Sequence, residues 1–212
     1  MKAFNLWSKI SILIILMALV SCKKDAKENQ LSFNLNNLKG YAIVFTTSSA
    51  TPTTNIAVFG EDNEVTHASV GVLGTSTFNV NNDQLILNGI NETFKVQNEK
   101  IVSFSDKIKT AELIKTPDQN QLTAKTFTGI YHDKNGNVLH PKFFYKFGAN
   151  LNKVEVGYEV GTTIRTEDYT PFGNIAALIR QNSYIEFIVK MPDGSIVSNF
   201  RDGNSTSYGL FK

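Results

Sequence analysis

From Lys153 to Val160 the chain alternates residue by residue: Val154, Val156, Tyr158 and Val160 fall on one side, Lys153, Glu155 and Glu159 on the other. A period of two is the signature of a half-buried strand, and it excludes a helix, whose apolar positions recur every three or four residues. The expectation is that all four apolar side chains of this stretch point inward. Lys142 to Phe147 repeats the pattern one segment earlier, with Phe143, Tyr145 and Phe147 on a common face.

The rest of the second half reads the same way. Ile164 to Tyr169, Ile175 to Arg180, Tyr184 to Lys190, Ile196 to Arg201 and Tyr208 to Phe211 are further strand candidates, and Met191-Pro192-Asp193-Gly194-Ser195 has the composition of a hairpin turn. Proline fixes φ early in such a turn and glycine accepts positive φ late. In the first half Ala42 to Phe45, Ile56 to Phe59, Val65 to Leu73, Phe78 to Val80, Leu85 to Leu87, Phe94 to Val96 and Ile101 to Phe104 are short apolar or β-branched runs separated by Asn, Asp, Gly and Ser. Strands this short with turns this regular predict an all-β fold, an antiparallel meander forming a barrel or paired sheets with little helix. Asn91-Glu92-Thr93 fits a glycosylation triplet and reads here as turn sequence.

The division expected is a leader over 1–21, a tether over 22–34, an N-terminal β-meander over 35–110, a connector over 111–125 and a C-terminal meander over 126–212, with 35–212 able to form one domain. In the connector Thr116-Pro117-Asp118 supplies the polar, proline-punctuated break, and Ala111 to Lys115 reads as a brief helix or strand. Leu38-Lys39-Gly40-Tyr41 and Phe127-Thr128-Gly129-Ile130-Tyr131 echo one another at the start of β-runs. The Gly-aromatic openings and up-and-down spacing resemble calycin-type (lipocalin-like) barrels, although the Gly-x-Trp signature of that family is absent because the one tryptophan, Trp7, lies in the leader.

That leader has Lys2 and Lys9 before the apolar run Ile10 to Val20, then Ser21 and the chain's one cysteine, Cys22. The run is far shorter than the roughly 20 apolar residues a spanning helix needs, so it reads as a secretory signal. Leu19-Val20-Ser21-Cys22 resembles the lipobox of bacterial lipoproteins, which implies lipidation of Cys22, removal of 1–21 and a membrane anchor. The charged run Lys23-Lys24-Asp25-Ala26-Lys27-Glu28 is similar to the export signals of Bacteroidota-type lipoproteins and equally suits a solvated tether. The implied location is the bacterial outer membrane, on its periplasmic or cell-surface face.

Once Lys2 and Lys9 leave with the signal, the 21 basic residues fall to 19, against 19 acidic ones. That neutrality removes the electrostatic footprint of a nucleic-acid binder. With Cys22 lipidated no thiol remains for a disulfide, a nucleophile or a metal. The spacings of His-Glu-x-x-His, Gly-x-Ser-x-Gly and the P-loop do not occur, so no catalytic residue and no cofactor is expected. His67 has no second histidine near it and reads as a surface or packing residue instead of a metal ligand. His132 and His140 flank the turn at Asn135-Gly136: a two-residue turn sets them on opposite faces, a three-residue loop with a glycine bulge sets them diagonally on one face, and neither register supplies the further ligands of a metal. Glu167 and Asp168 are adjacent on a strand, hence on opposite faces, while Arg165 and Glu167 share a face and read as a surface ion pair.

Phe143, Tyr145, Phe147, Val156 and Tyr158 are the candidates to line a ligand cavity, with core packing as the other reading of the same stripe. The functional expectation is a lipid-anchored envelope protein whose β-domain binds a small apolar ligand or a partner protein without catalysis. The alternative is a structural or accessory subunit of an envelope complex; a hydrolase, which would need a cleft with convergent histidine and carboxylate groups, ranks below both.

Overall fold

A computed structural model describes residues 33–203 and 205–212. The expected leader, Cys22 and nearly all of the expected tether lie outside the described residues. Asn34–Lys212 forms one compact unit, built of strands and turns with no helix among the described residues.

The first sheet contains β1 (Tyr41–Thr47), β2 (Thr54–Phe59), β3 (Glu64–Ala68), β4 (Leu73–Asn81), β5 (Gln84–Leu87), β6 (Glu92–Gln97), β7 (Lys100–Ser103) and β8 (Ile108–Lys115). The second contains β9 (Thr126–Asp133), β10 (Val138–Phe147), β11 (Lys153–Glu159), β12 (Thr162–Asp168), β13 (Thr170–Phe172), β14 (Ala176–Arg180), β15 (Tyr184–Lys190), β16 (Ile196–Asp202) and β17 (Ser205–Phe211). Each is an antiparallel meander whose last strand returns to pair with its first, β8 with β1 and β17 with β9. The result is two nearly closed, barrel-like sheets. The first leaves its seam between β7 and β8, the second between β12 and β13.

The sheets pack face to face. Ala42, Val44 and Ile56 of β1 and β2 meet Ala176, Leu178, Phe187 and Val189 of β14 and β15 in one apolar cluster. Beside it, the Thr54 backbone N–H donates to Asn199 Oδ1 at 2.8 Å, and Asn199 Nδ2 donates to the Pro52 carbonyl at 2.8 Å. Strand β15 is therefore buried on both faces, since Ile188 lies in the cluster inside the second sheet while Phe187 and Val189 face the first. This is why Tyr184 to Lys190 reads as an almost continuous apolar run instead of an alternating one.

Several local expectations change. Val65 to Leu73 is two strands, because Ser69 to Val72 turns the chain between β3 and β4, with the Ser69 N–H donating to the Val72 carbonyl at 2.8 Å. Ile108 opens β8, which runs to Lys115 paired against β1, so Ala111 to Lys115 is strand and the stretch joining the sheets is 116–125 instead of the expected 111–125. The Gly-aromatic echo is not a structural repeat, since Gly40 precedes β1 in a turn and Gly129 lies inside β9. The hairpin at Met191 to Ser195 forms as expected, closed by the Met191 N–H on the Ser195 carbonyl at 2.8 Å with Gly194 at φ 91°.

Inside the first sheet Phe45 packs on Phe94 and Phe59 on Phe78, ring centroids 5.6 and 5.0 Å apart. His67 is buried there, between Ala57 of β2 and Gly74 of β4, and its Nδ1 has no hydrogen-bond partner. Burial holds its pKa below the ordinary 6.5. The folded state thus prefers the neutral ring, and the stabilisation is complete above pH 6.5 and is lost as pH falls through the folded pKa. Denaturant midpoints at pH 7.5 and 5.5 should accordingly fall further for the native protein than for His67→Gln; equal losses would remove His67 as the cause.

Candidate functional site

Phe143, Tyr145, Phe147 and Val156 all lie in the core of the second sheet. Tyr145 is fully buried, with the Phe211 ring 4.9 Å away and the Phe143 ring 5.5 Å away. Phe147 meets Phe127 at 6.1 Å and Tyr169 at 5.4 Å, both edge to face. These rings fill the interior, and each such pair adds about 0.5–1.5 kcal/mol beyond its buried area. Tyr158 is the exception. It is 45% exposed, and Val160, past the end of β11, is 60% exposed, which corrects the expectation that both point inward. The register of β11 on β12 shifts on both sides of Gly157, so the alternation that holds at Val154 and Val156 is broken before Tyr158.

Deeper in the same sheet lies a polar cluster that the alternation alone did not flag. Glu186 on β15 is fully buried. Its Oε1 accepts hydrogen bonds from Tyr131 at 2.7 Å, from Ser198 at 3.2 Å and from Tyr145, while its Oε2 accepts Arg165 Nη2 at 2.6 Å. Arg165 Nη1 also donates to the Tyr184 hydroxyl at 3.1 Å, Tyr184 donates to Glu167, and Gln181 Nε2 donates to Glu167 Oε2 at 2.6 Å. Arg165 and Glu167 do share a face, but it is the inner one, and the main partner of Arg165 is Glu186 instead of a solvent-exposed carboxylate. Asp168 points the other way, to Lys153 at 2.7 Å.

The electrostatics follow from burial. Desolvation, reinforced by the Glu186 charge, pushes the Tyr131 and Tyr145 hydroxyls well above the ordinary tyrosine pKa, so both remain proton donors. Burial alone would lower the Arg165 pKa, but Glu186 outweighs it and raises the value, so the guanidinium stays charged. Both Glu186 oxygens are already occupied by these internal donors.

On the outer surface, across β9 to β11, an open groove of about 460 Å³ is lined by Ile130, Pro141, Phe143, Phe144, Tyr158 and Val160. It lies beside an irregular part of the β9–β10 ladder, with register shifts between Val138 and His140 and between His140 and Phe143. Pro141 sits in that second interval and has no N–H to give the ladder. An ion pair, Lys142 to Glu159 at 3.0 Å, edges the groove. Of the cavity-lining candidates, then, Phe143 and Tyr158 reach this groove while Tyr145, Phe147 and Val156 are core.

The histidine hairpin takes the three-residue form at its tip, with His132 opposite Val138, but the irregularity that follows puts His140 opposite Tyr131. His132 stacks on Tyr208 at 5.5 Å, while His140 stacks on Phe143 at 5.8 Å and meets Tyr158 at a tilt at 4.9 Å, so the two serve different neighbours. Among the described residues no group of three or more metal-ligating side chains converges. These features define the class: an all-β protein of two tandem barrel-like sheets, one carrying a buried charged cluster and an open apolar groove. No protein-family model matches the chain, and no curated protein or solved structure aligns with it significantly.

Proposed function

We propose that this is a lipid-anchored protein of a bacterial cell envelope whose calycin-like second sheet binds a small apolar ligand in the groove across β9 to β11, without catalysis. The observation that carries the reading is the contrast between the two apolar spaces: the interior is filled by Tyr145, Phe147 and Val156, while the groove is open and apolar and, at about 460 Å³, has the volume of a small-molecule site. Glu186, the buried carboxylate of the sheet, is engaged by Arg165 and by the Tyr131, Tyr145 and Ser198 hydroxyls, a structural use of the group that supports binding over catalysis. A partner protein's apolar side chain is the second occupant to consider, because Ile130 and its cross-strand neighbour Leu210 are both exposed beside the groove.

Titration of segment 34–212, a compact unit in itself, with dodecanoic acid in competition with an anilinonaphthalene dye tests the ligand reading. Val160→Asp and Ile130→Asp place a charge at the groove without touching the core, and each should weaken binding by at least about tenfold, or ~1.4 kcal/mol. Binding that ignores both substitutions, or none in the native protein, would overturn the groove as an apolar ligand site.

The anchor rests on Leu19-Val20-Ser21-Cys22. Each buried acyl methylene contributes about 0.8 kcal/mol, so several chains on one cysteine hold a protein firmly. Cys22→Ser should accumulate as unprocessed precursor that takes up no labelled palmitate. Continued incorporation of label would contradict the assignment.

A further inference from the structure

Strand β12 is held to the second sheet in two unlike ways. On one side it pairs with β11; on the other, where β13 ends the sheet, no backbone ladder continues. Side chains bridge that seam instead. Arg165 reaches from β12 to Glu186 and Tyr184 on β15, and Glu167 takes the Tyr184 hydroxyl and Gln181. The guanidinium carbon lies 5.2 Å from the Tyr184 ring centroid and 5.9 Å from that of Phe200, and those rings are themselves 5.1 Å apart. One planar cation is therefore held by a buried carboxylate, a second carboxylate 3.7 Å away and two aromatic faces.

The β11 side is a long antiparallel pairing, but an irregular one. Register shifts flank Gly157, where an added Cβ would stand 2.1 Å from the Thr162 carbonyl oxygen, so the start of β12 crosses a position only glycine can occupy. Most of β12 is exposed. Behind Arg165 the interior is polar, with Glu186, Ser198 and the Tyr131 and Tyr145 hydroxyls, and such groups can trade protein partners for water at small net cost.

We propose that the β12–β13 seam is a gate and that the cage of Glu186, Glu167, Tyr184 and Phe200 is a guanidinium-binding site, which Arg165 fills when the gate is closed. A ligand bearing a guanidinium group competes with Arg165 for the cage, and its entry releases β12 while β9, β10, β16 and β17 keep their pairing. The site is separate from the groove, so either can fail without the other.

Hydrogen exchange on the whole chain, read segment by segment, tests it. In Arg165→Ala, exchange should rise by about tenfold or more over Thr162 to Asp168 and stay unchanged in β9, β10, β16 and β17, as expected for opening of one local unit. Millimolar guanidinium chloride, far below denaturing concentrations, should refill the cage and slow that exchange, whereas equal sodium chloride should not. Acceleration spread evenly over every strand, or no slowing specific to guanidinium, would overturn the proposal. Should the alanine variant fail to fold, Arg165→Lys keeps the charge but has no planar fork to span Glu186 and Tyr184 together; β12 should again exchange faster and respond to guanidinium. Native rates at β12 in that variant would equally overturn the gate.

Discussion

Glu186→Ala is expected to destabilise the protein by about 3–5 kcal/mol, because removing one member of a buried ion pair strands the other and its hydrogen-bonding neighbours. Arg165 would lose its 2.6 Å partner and keep Glu167 only at 3.7 Å, and three hydroxyls would lose the acceptor they share. The paired replacement Arg165→Met with Glu186→Leu should recover most of that loss. It removes both charges together, and the hydroxyls of Tyr131, Tyr145 and Ser198 still bond one another. Urea unfolding of the single and double variants decides the matter. A single-variant loss under about 1 kcal/mol would mean that water already satisfies Arg165 and that the cluster contributes little.

The second large effect separates two aromatic residues only eleven positions apart in the sequence. Phe147→Ala should cost about 3–5 kcal/mol, since it empties a fully packed position between Phe127 and Tyr169. Tyr158→Ala should cost about 1 kcal/mol or less, because the ring is nearly half exposed and gives up mainly its edge contacts with His140 and Phe143. Lys153→Ala and Glu155→Ala, whose ion pairs with Asp168 and Lys146 are solvent-exposed, should each stay within about 0.5 kcal/mol. A Tyr158 loss equal to that of Phe147 would place Tyr158 in the core after all.

Val154, Val156 and the stripe Phe143, Tyr145, Phe147 were legible because alternation along one strand fixes which side chains share a face. Tyr158 and Val160 were not, because the shifts around Gly157 are set by the neighbouring strand and leave no trace in the period of β11. The all-β meander followed from turn residues between short runs, but the pairings β1 with β8 and β9 with β17 join distant segments that carry no local signal. The polar cluster was hidden for a related reason. Arg165 and Glu167 look like the solvent face of a strand until the sheet curls and brings β12 over β15. The one local hint was Glu186 itself, a carboxylate set between Ile185 and Phe187 in a strand buried on both faces.

The proposed apolar ligand lies in the outer groove of the second sheet and not in its interior. Backbone amide NMR of segment 34–212 during titration with dodecanoic acid tests it directly. Shift changes are expected to concentrate at Ile130, Lys142, Phe144 and Val160, with Tyr145, Glu186 and Ser198 unmoved. Changes concentrated at Tyr145, Glu186 and Ser198, with the groove silent, would contradict it and place the ligand inside the barrel.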